Sequence, residues 1–260
     1  MSLPDIHSQG DDRGIPVMVG FSGVKAPLLL KNRDGEHVPY DASLTVTVRL
    51  DEDSKGTHLS RIARAVETRP HKAGEGILKQ LVLDVAKALG SQHVVAAYSF
   101  DYRVPDDRSP ITDNLFPAYY RSVLQAALTG TMVFQYMHVT VPVMSVCPCS
   151  LALNDNRAAH VQRCEVTAEV QIAQGNHVWI EDVIAALRTS GSSPVYGIVK
   201  RPDEKQIVAD AFANPKFAED VVRDAVTALK DIDGIISGTV HVDSQESIHP
   251  FNVVASAIIA

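Results

Sequence analysis

Between Thr131 and Val146 the chain alternates, with Val133, Gln135, Met137, Val139, Val141 and Val143 falling on one side. A period of two over such a stretch makes a long strand with one covered face. Pro148, just past its end, lacks a backbone donor and stops the ladder. The strand therefore needs a sheet partner and a layer over its apolar side. Val161 to Ala173 reads as the partner. Trp179 to Leu187 reads as a helix whose early Glu181 and Asp182 suit the positive end of the helix dipole. Asn214-Pro215 opens another, with Pro215 near its first position and Phe217, Val221, Ala225 and Leu229 on one face. Ile235 to Val242 and Asn252 to Ile259 close the set as strands.

The same order precedes Thr131. Ala26 to Leu30 is a short apolar run, and Val38 to Leu50 alternates through Leu44, Val46, Val48 and Leu50. Gly56-Thr57 opens a helix with Thr57 as the candidate N-cap, its apolar face Leu59, Ile62, Ala63 and Val66. Pro70 ends that segment. Ile77 to Leu89 is a second helix, followed by Gly90 as its C′ residue. His93 to Val104 and Tyr119 to Leu128 are strands. Each half thus reads strand, strand, helix, helix, strand, strand: an α+β layer with two helices on one face of an antiparallel sheet. The expected division is an N-terminal arm over 1–24, a first unit over 25–130 and a second over 131–260. Open sheet edges invite pairing, so a ring-shaped homo-oligomer is expected.

Of the 260 residues, 45% are hydrophobic and 21% charged, enough for an ordinary globular core. A net charge of −7 excludes a general nucleic-acid binder, which needs a basic footprint. No apolar run is long enough for a membrane span, and the acidic start is wrong for a signal peptide, so a cytoplasmic protein is expected. Three cysteines, Cys147, Cys149 and Cys164, are few for a disulfide framework.

The densest chemical signal is Ser145-Val-Cys-Pro-Cys-Ser150, where the long strand leaves its sheet. A single thiol there reads as a small buried hydrophobe. Two flanking a proline read better as an open metal site of one thiolate with His and carboxylate ligands, since a structural zinc ribbon needs a second cysteine pair. His160 begins the partner strand, so it can return to Cys147 or simply sit at a loop end. Cys164 faces the core. Lys200-Arg-Pro-Asp-Glu-Lys205 reads either as a solvated loop or as Glu204 on a metal with Lys200, Arg201 or Lys205 on phosphates. Gln245-Glu-Ser-Ile-His249 is either a polar hairpin turn or a guanine-accepting Glu246 beside a proton-transferring His249. Lys55-Gly-Thr-His-Leu-Ser-Arg61 offers helix-start amides with Lys55, His58, Ser60 and Arg61 to an anion.

Taken in order, Gly56-Thr-His-Leu-Ser-Arg61, Cys147-Pro-Cys-Ser150, His160, Arg201-Pro-Asp-Glu-Lys205, Asn214-Pro-Lys-Phe217 and Glu246-Ser-Ile-His249 resemble the type IB GTP cyclohydrolase family. The resemblance runs from Asp11 to Ile248. It implies two tandem tunnelling-fold (T-fold) units, assembly as a homotetramer, and conversion of GTP to 7,8-dihydroneopterin triphosphate and formate at the entry to folate synthesis. It implies Cys147, His160 and Glu204 as ligands of a divalent metal, whether manganese, zinc or iron. Glu246 becomes the guanine anchor, His249 and Glu219 active-site groups, Cys149 a neighbour of open role, and Lys55, His58, Arg61 and Arg201 substrate contacts. After Ile248-His249 the family pattern Asn-His-Ser-Ala gives way here to Pro250-Phe251-Asn252-Val253. Two rivals stand beside this reading: a T-fold nitrile reductase, which has the purine-binding Glu and a catalytic Cys but no metal, and a non-catalytic purine- or metal-binding relative.

Overall fold

A computed structural model describes residues 13–51, 56–67 and 76–260. Among them lie nine strands and six helices, the α+β class that the alternation implies. The chain divides into two compact units, Met1–Phe100 with Val123–Tyr136, and Asp101–Ser122 with Met137–Ala260.

The first unit holds β1 (Val17–Lys31), β2 (His37–Leu50), α1 (Leu59–Glu67), α2 (Gly76–Leu89) and parts of β3 (His93–Val104), β4 (Ala118–Thr129) and β5 (Met132–Val146). The alternation of β2 sets its register. Leu44, Val46 and Val48 stand opposite Tyr98, Ala96 and Val94 of β3, so one slip would turn the whole apolar set to water. All six are buried, with Ile62 of α1 and Leu81, Val82 and Val85 of α2 in the same unit. Of the segment 1–24 read as an arm, Val17 to Val24 lie in β1, which pairs antiparallel with β2, and residues 1–12 lie outside the described residues. Gly20 permits that pairing, because a Cβ there would meet the Val46 carbonyl oxygen at 1.9 Å. Thr57 is not the helix cap: α1 starts at Leu59, and the buried Thr57 hydroxyl has no partner among the described residues. Gly90 does take the left-handed C′ conformation, at φ 68°. Pro70 lies outside the described residues.

In the second unit β5, β6 (Val161–Ile172), β8 (Ile235–Gln245) and β9 (Val253–Ile259) are hydrogen-bonded neighbours in that order, and the two-residue β7 (Ser193–Pro194) pairs with β5. Helices α4 (Ile180–Ser190) and α6 (Ala218–Lys230) pack on each other; α4 touches β6 and α6 touches β8 and β9. Leu187 and Leu229 are fully buried there with Val139, Val141, Val166 and Val240; truncating either leucine to alanine costs about 2–5 kcal/mol. Two further helices were not expected. The six-residue α3 (Pro148–Leu153) follows β5 directly, and α5 (Arg201–Ala213) occupies the segment read as a charged loop. The last helix begins at Ala218, so Pro215 precedes it rather than sitting in its first turn.

The long connection between β3 and β4 is pinned at two points. Asp107 meets Arg188 at 2.5 Å, and both side chains are largely buried. Asp203 of α5 accepts from the amides of Ile111 and Thr112 and from the Thr112 hydroxyl.

Candidate functional site

Pro148 does stop β5, but it does so as the first residue of α3. Cys147 becomes the N-cap, and its Sγ accepts the Ser150 amide at 3.4 Å. Beyond α3 the chain must reverse within a few residues. Asp155 and Asn156 do this at φ 52° and 59°, left-handed values that these residue types tolerate. The reversal brings His160 back to the start. Its carbonyl accepts the Cys147 amide at 3.2 Å, and its own amide donates to Ser150 Oγ at 3.4 Å.

From His160 the alternation of β6 carries Gln162, Cys164, Val166, Ala168 and Val170 on the covered side, the last five all buried. Cys164 stands opposite Ser244 of β8, so one step past the ladder Glu246 falls opposite Gln162. The side chains meet accordingly. Gln162 Nε2 donates to Glu246 Oε1 at 3.3 Å, Ser244 Oγ donates to the same oxygen at 2.9 Å, and Gln162 Oε1 lies 3.0 Å from His160 Nδ1. Glu246 Oε2 is 3.8 Å from His160 Nδ1, with the two side chains 8% and 15% exposed. The apolar layer thus ends in a polar pool. Burial pushes the Cys164 thiol above its usual range; hydrogen bonds with Ser244 and Ser145 oppose this, and the nearby Glu246 and Asp243 carboxylates add to it. Cys164 is a core thiol, as expected.

The Asn214-Pro-Lys-Phe217 motif ties this end of the unit together. Ser145 Oγ donates to the Lys216 carbonyl at 2.7 Å, and the Lys216 amide donates to the Val146 carbonyl at 3.0 Å. The Lys216 ammonium is spent on the Ser190 carbonyl and on Asp224. Glu219 follows in the first turn of α6, exposed.

Asp203 is fully buried at the third position of α5. Burial alone would raise its carboxyl, but hydrogen bonds from the Thr112 hydroxyl and from the Thr112, Lys200 and Ile111 amides hold it well below the usual carboxylate range. Arg201 and Glu204 flank it on the exposed side of the helix.

The expected residues are gathered only in part. Cys147, His160 and Glu246 share one end of the second unit. Cys149 is exposed on α3, and His249 is exposed in the β8–β9 connection, its ring stacked on Phe251 with centroids 5.0 Å apart. Among the described residues no three His, Cys, Asp or Glu side chains are close enough to hold a metal, so Glu204 does not join Cys147 and His160 in the single chain. His58 and Arg61 belong to the first unit, half-buried and exposed. Lys55 lies outside the described residues. The donor chemistry of Cys147 and His160 nonetheless fits a divalent transition metal: a thiol free of any disulfide beside an imidazole whose Nε2 has no partner among the described residues.

Sequence reasoning missed Gln162, Ser244 and Asp203. A signal for the first existed, because Gln162 is a polar residue in the buried phase of β6, where an unpaired amide is costly.

A family model described as type I GTP cyclohydrolase folE2 matches residues 3–255. A GTP cyclohydrolase FolE2 from Lawsonia intracellularis is 36% identical over 254 residues, 97% of each chain. One from Nitratidesulfovibrio vulgaris is 34% identical, covering 98% of this chain and 97% of its own. Among solved structures, a uricase from Arthrobacter globiformis superposes with a TM-score of 0.55 at 11% identity, over 94% of this chain and 93% of that one, a likeness of fold alone.

Proposed function

This chain belongs to the type I GTP cyclohydrolase folE2 family, and from that premise we propose how its own residues carry the reaction. It is a GTP cyclohydrolase of folate biosynthesis. Both rivals raised by the sequence, the nitrile reductase and the non-catalytic relative, give way to that assignment. The family is generally metal-dependent.

Our reading is that GTP is opened at C8 and released as formate and 7,8-dihydroneopterin triphosphate. The observation that supports it is the contact line His160–Gln162–Glu246, which sets a buried carboxylate beside a ligand-type histidine. Glu246 spends Oε1 on Ser244 and Gln162, yet a carboxylate has about four lone-pair sites. Its Oε2 can accept the guanine N1–H and exocyclic amine. Cys147 and His160 would hold a divalent ion, with Glu204, which the single chain does not bring to them, as the third ligand that the family resemblance implies; such an ion supplies Lewis acidity that lowers the pKa of water to about 7. His249, exposed in the β8–β9 connection with its ring stacked on Phe251, donates the proton that makes C8 electrophilic. Arg201, Lys55, His58 and Arg61 serve the triphosphate. The assembly we propose is a homotetramer. In its support, Val254 and Ile258 of β9 are 61% and 73% exposed, and β9 pairs with β8 alone among the described residues. The direct test is formate release from GTP with added manganese. No formate at full metal occupancy would overturn the reading.

A further inference from the structure

We infer that Gln162 is a positioning residue that fixes the tautomer of His160 and ties it to the Glu246 carboxylate. The inference rests on the reading of His160 as a metal ligand and Glu246 as the guanine anchor, but its first step needs neither.

That step is a question of donors and acceptors. Gln162 is 9% exposed and touches two groups at its amide, Glu246 on one side and His160 on the other. The two ends of a primary amide have the same shape, so partners must decide which way it points. A carboxylate accepts and does not donate. The Gln162 nitrogen must therefore face Glu246, where the Ser244 hydroxyl also donates. The Gln162 oxygen then faces His160 Nδ1 at 3.0 Å, and that oxygen can only accept. Nδ1 must carry the proton. Glu246 itself is not the direct partner, since 3.8 Å from Nδ1 to its Oε2 is beyond hydrogen-bond reach.

With the proton on Nδ1, the lone pair of the neutral ring lies on Nε2, the nitrogen without a partner among the described residues. A ligating histidine needs such a donor–acceptor pair behind it to hold tautomer and ring orientation. Gln162 supplies it through a bond whose other end lies on the carboxylate proposed to receive guanine. The register explains why these three meet: His160, the residue before β6, is two positions from Gln162 within it, and Glu246 is the next position on that face after Cys164–Ser244. Substrate and ion are thus read by one hydrogen-bonded line, and a change at Gln162 acts on both.

The test starts with the unaltered full chain, freed of metal and labelled with 15N-histidine. The His160 signals should show a protonated Nδ1 and a bare Nε2. A protonated Nε2 in the neutral ring would overturn the inference without any variant. Two substitutions then separate the ends of the amide. Gln162→Met removes both bonds and should weaken Zn(II) binding about 10–100-fold, the usual cost of losing such a supporting group. Gln162→Glu keeps an acceptor for His160 but loses the donor to Glu246, so Zn(II) affinity should hold within a few-fold while KM for GTP rises more than kcat falls. A Gln162→Met protein with unchanged tautomer and unchanged Zn(II) affinity would overturn the role. His160→Ala distinguishes the premise: if that protein keeps full Zn(II) binding, the ligand reading fails, while the tautomer result stands or falls on its own spectrum.

Discussion

Asp203 accepts from both the amide and the hydroxyl of Thr112, at 2.8 and 2.5 Å, across 91 residues of chain. The same carboxylate takes the Ile111 and Lys200 amides, so a single side chain closes the start of α5 onto the β3–β4 connection. It also sets the helix turn that carries Arg201 and Glu204.

Asp203→Asn offers one oxygen where two served, and turns an amide N–H toward groups that are themselves donors. The variant should melt below the parent at neutral pH, and its Ile111 and Thr112 amides should exchange faster. The sign with pH follows from the depressed carboxyl. Its stabilisation is present above the ordinary carboxylate range near 4 and fades as pH falls below it. The gap in Tm between the two proteins should therefore narrow in acid. A gap that stays constant from pH 7 to pH 3 would mean the ionised form is not what holds the loop.

Cys147→Ala is expected to lose both metal and activity, because an open site of three protein ligands cannot spare its thiolate. Cys149→Ala, an exposed thiol one residue past Pro148, should leave metal content close to the parent. Elemental analysis of the two purified proteins separates them. Full occupancy in Cys147→Ala would strike that residue from the ligand set.

Glu246→Gln keeps the shape but replaces an acceptor by a donor, leaving a guanine N–H unpaired. Sites built around such a bond reject the mismatch by as much as about 10⁴–10⁵-fold. Steady-state kinetics should show a large fall in kcat/KM for GTP at constant metal content. Near-normal turnover would place the anchor elsewhere.

The apolar outer side of β9 is expected to be covered in the assembled enzyme. Ile258→Glu puts a charge there and should shift sedimentation toward smaller species with loss of activity. A parent that sediments as an active monomer would defeat the tetramer.

The strands were legible because a covered face writes its period into the chain: β5 and β6 run within a residue of where the alternation put them. The helix α5 was not, because only Asp203, Ile207 and Ala211 are buried and its first turn is charged, so the segment resembles a solvated loop. The six residues of α3 are too few to show a helical period at all. Cys147, His160 and Glu246 could be named from composition and motif, yet their support could not. Gln162 and Ser244 matter through a register between β6 and β8 that no local stretch contains. Glu204 was named from motif alone, and the single chain does not bring it to the other two.

The left-handed pair Asp155 and Asn156 has a consequence for how this segment can vary. It closes the excursion through α3 so that the His160 carbonyl lands on the Cys147 amide. Most side chains between them are exposed and touch nothing in the site. The stretch is therefore a ruler: its exposed positions can be exchanged, with glycine welcome at the two left-handed ones, while Pro148, Ser150, Leu151 and its length are held. One residue added or removed would leave every proposed functional side chain in place in the sequence and still uncouple His160 from Cys147.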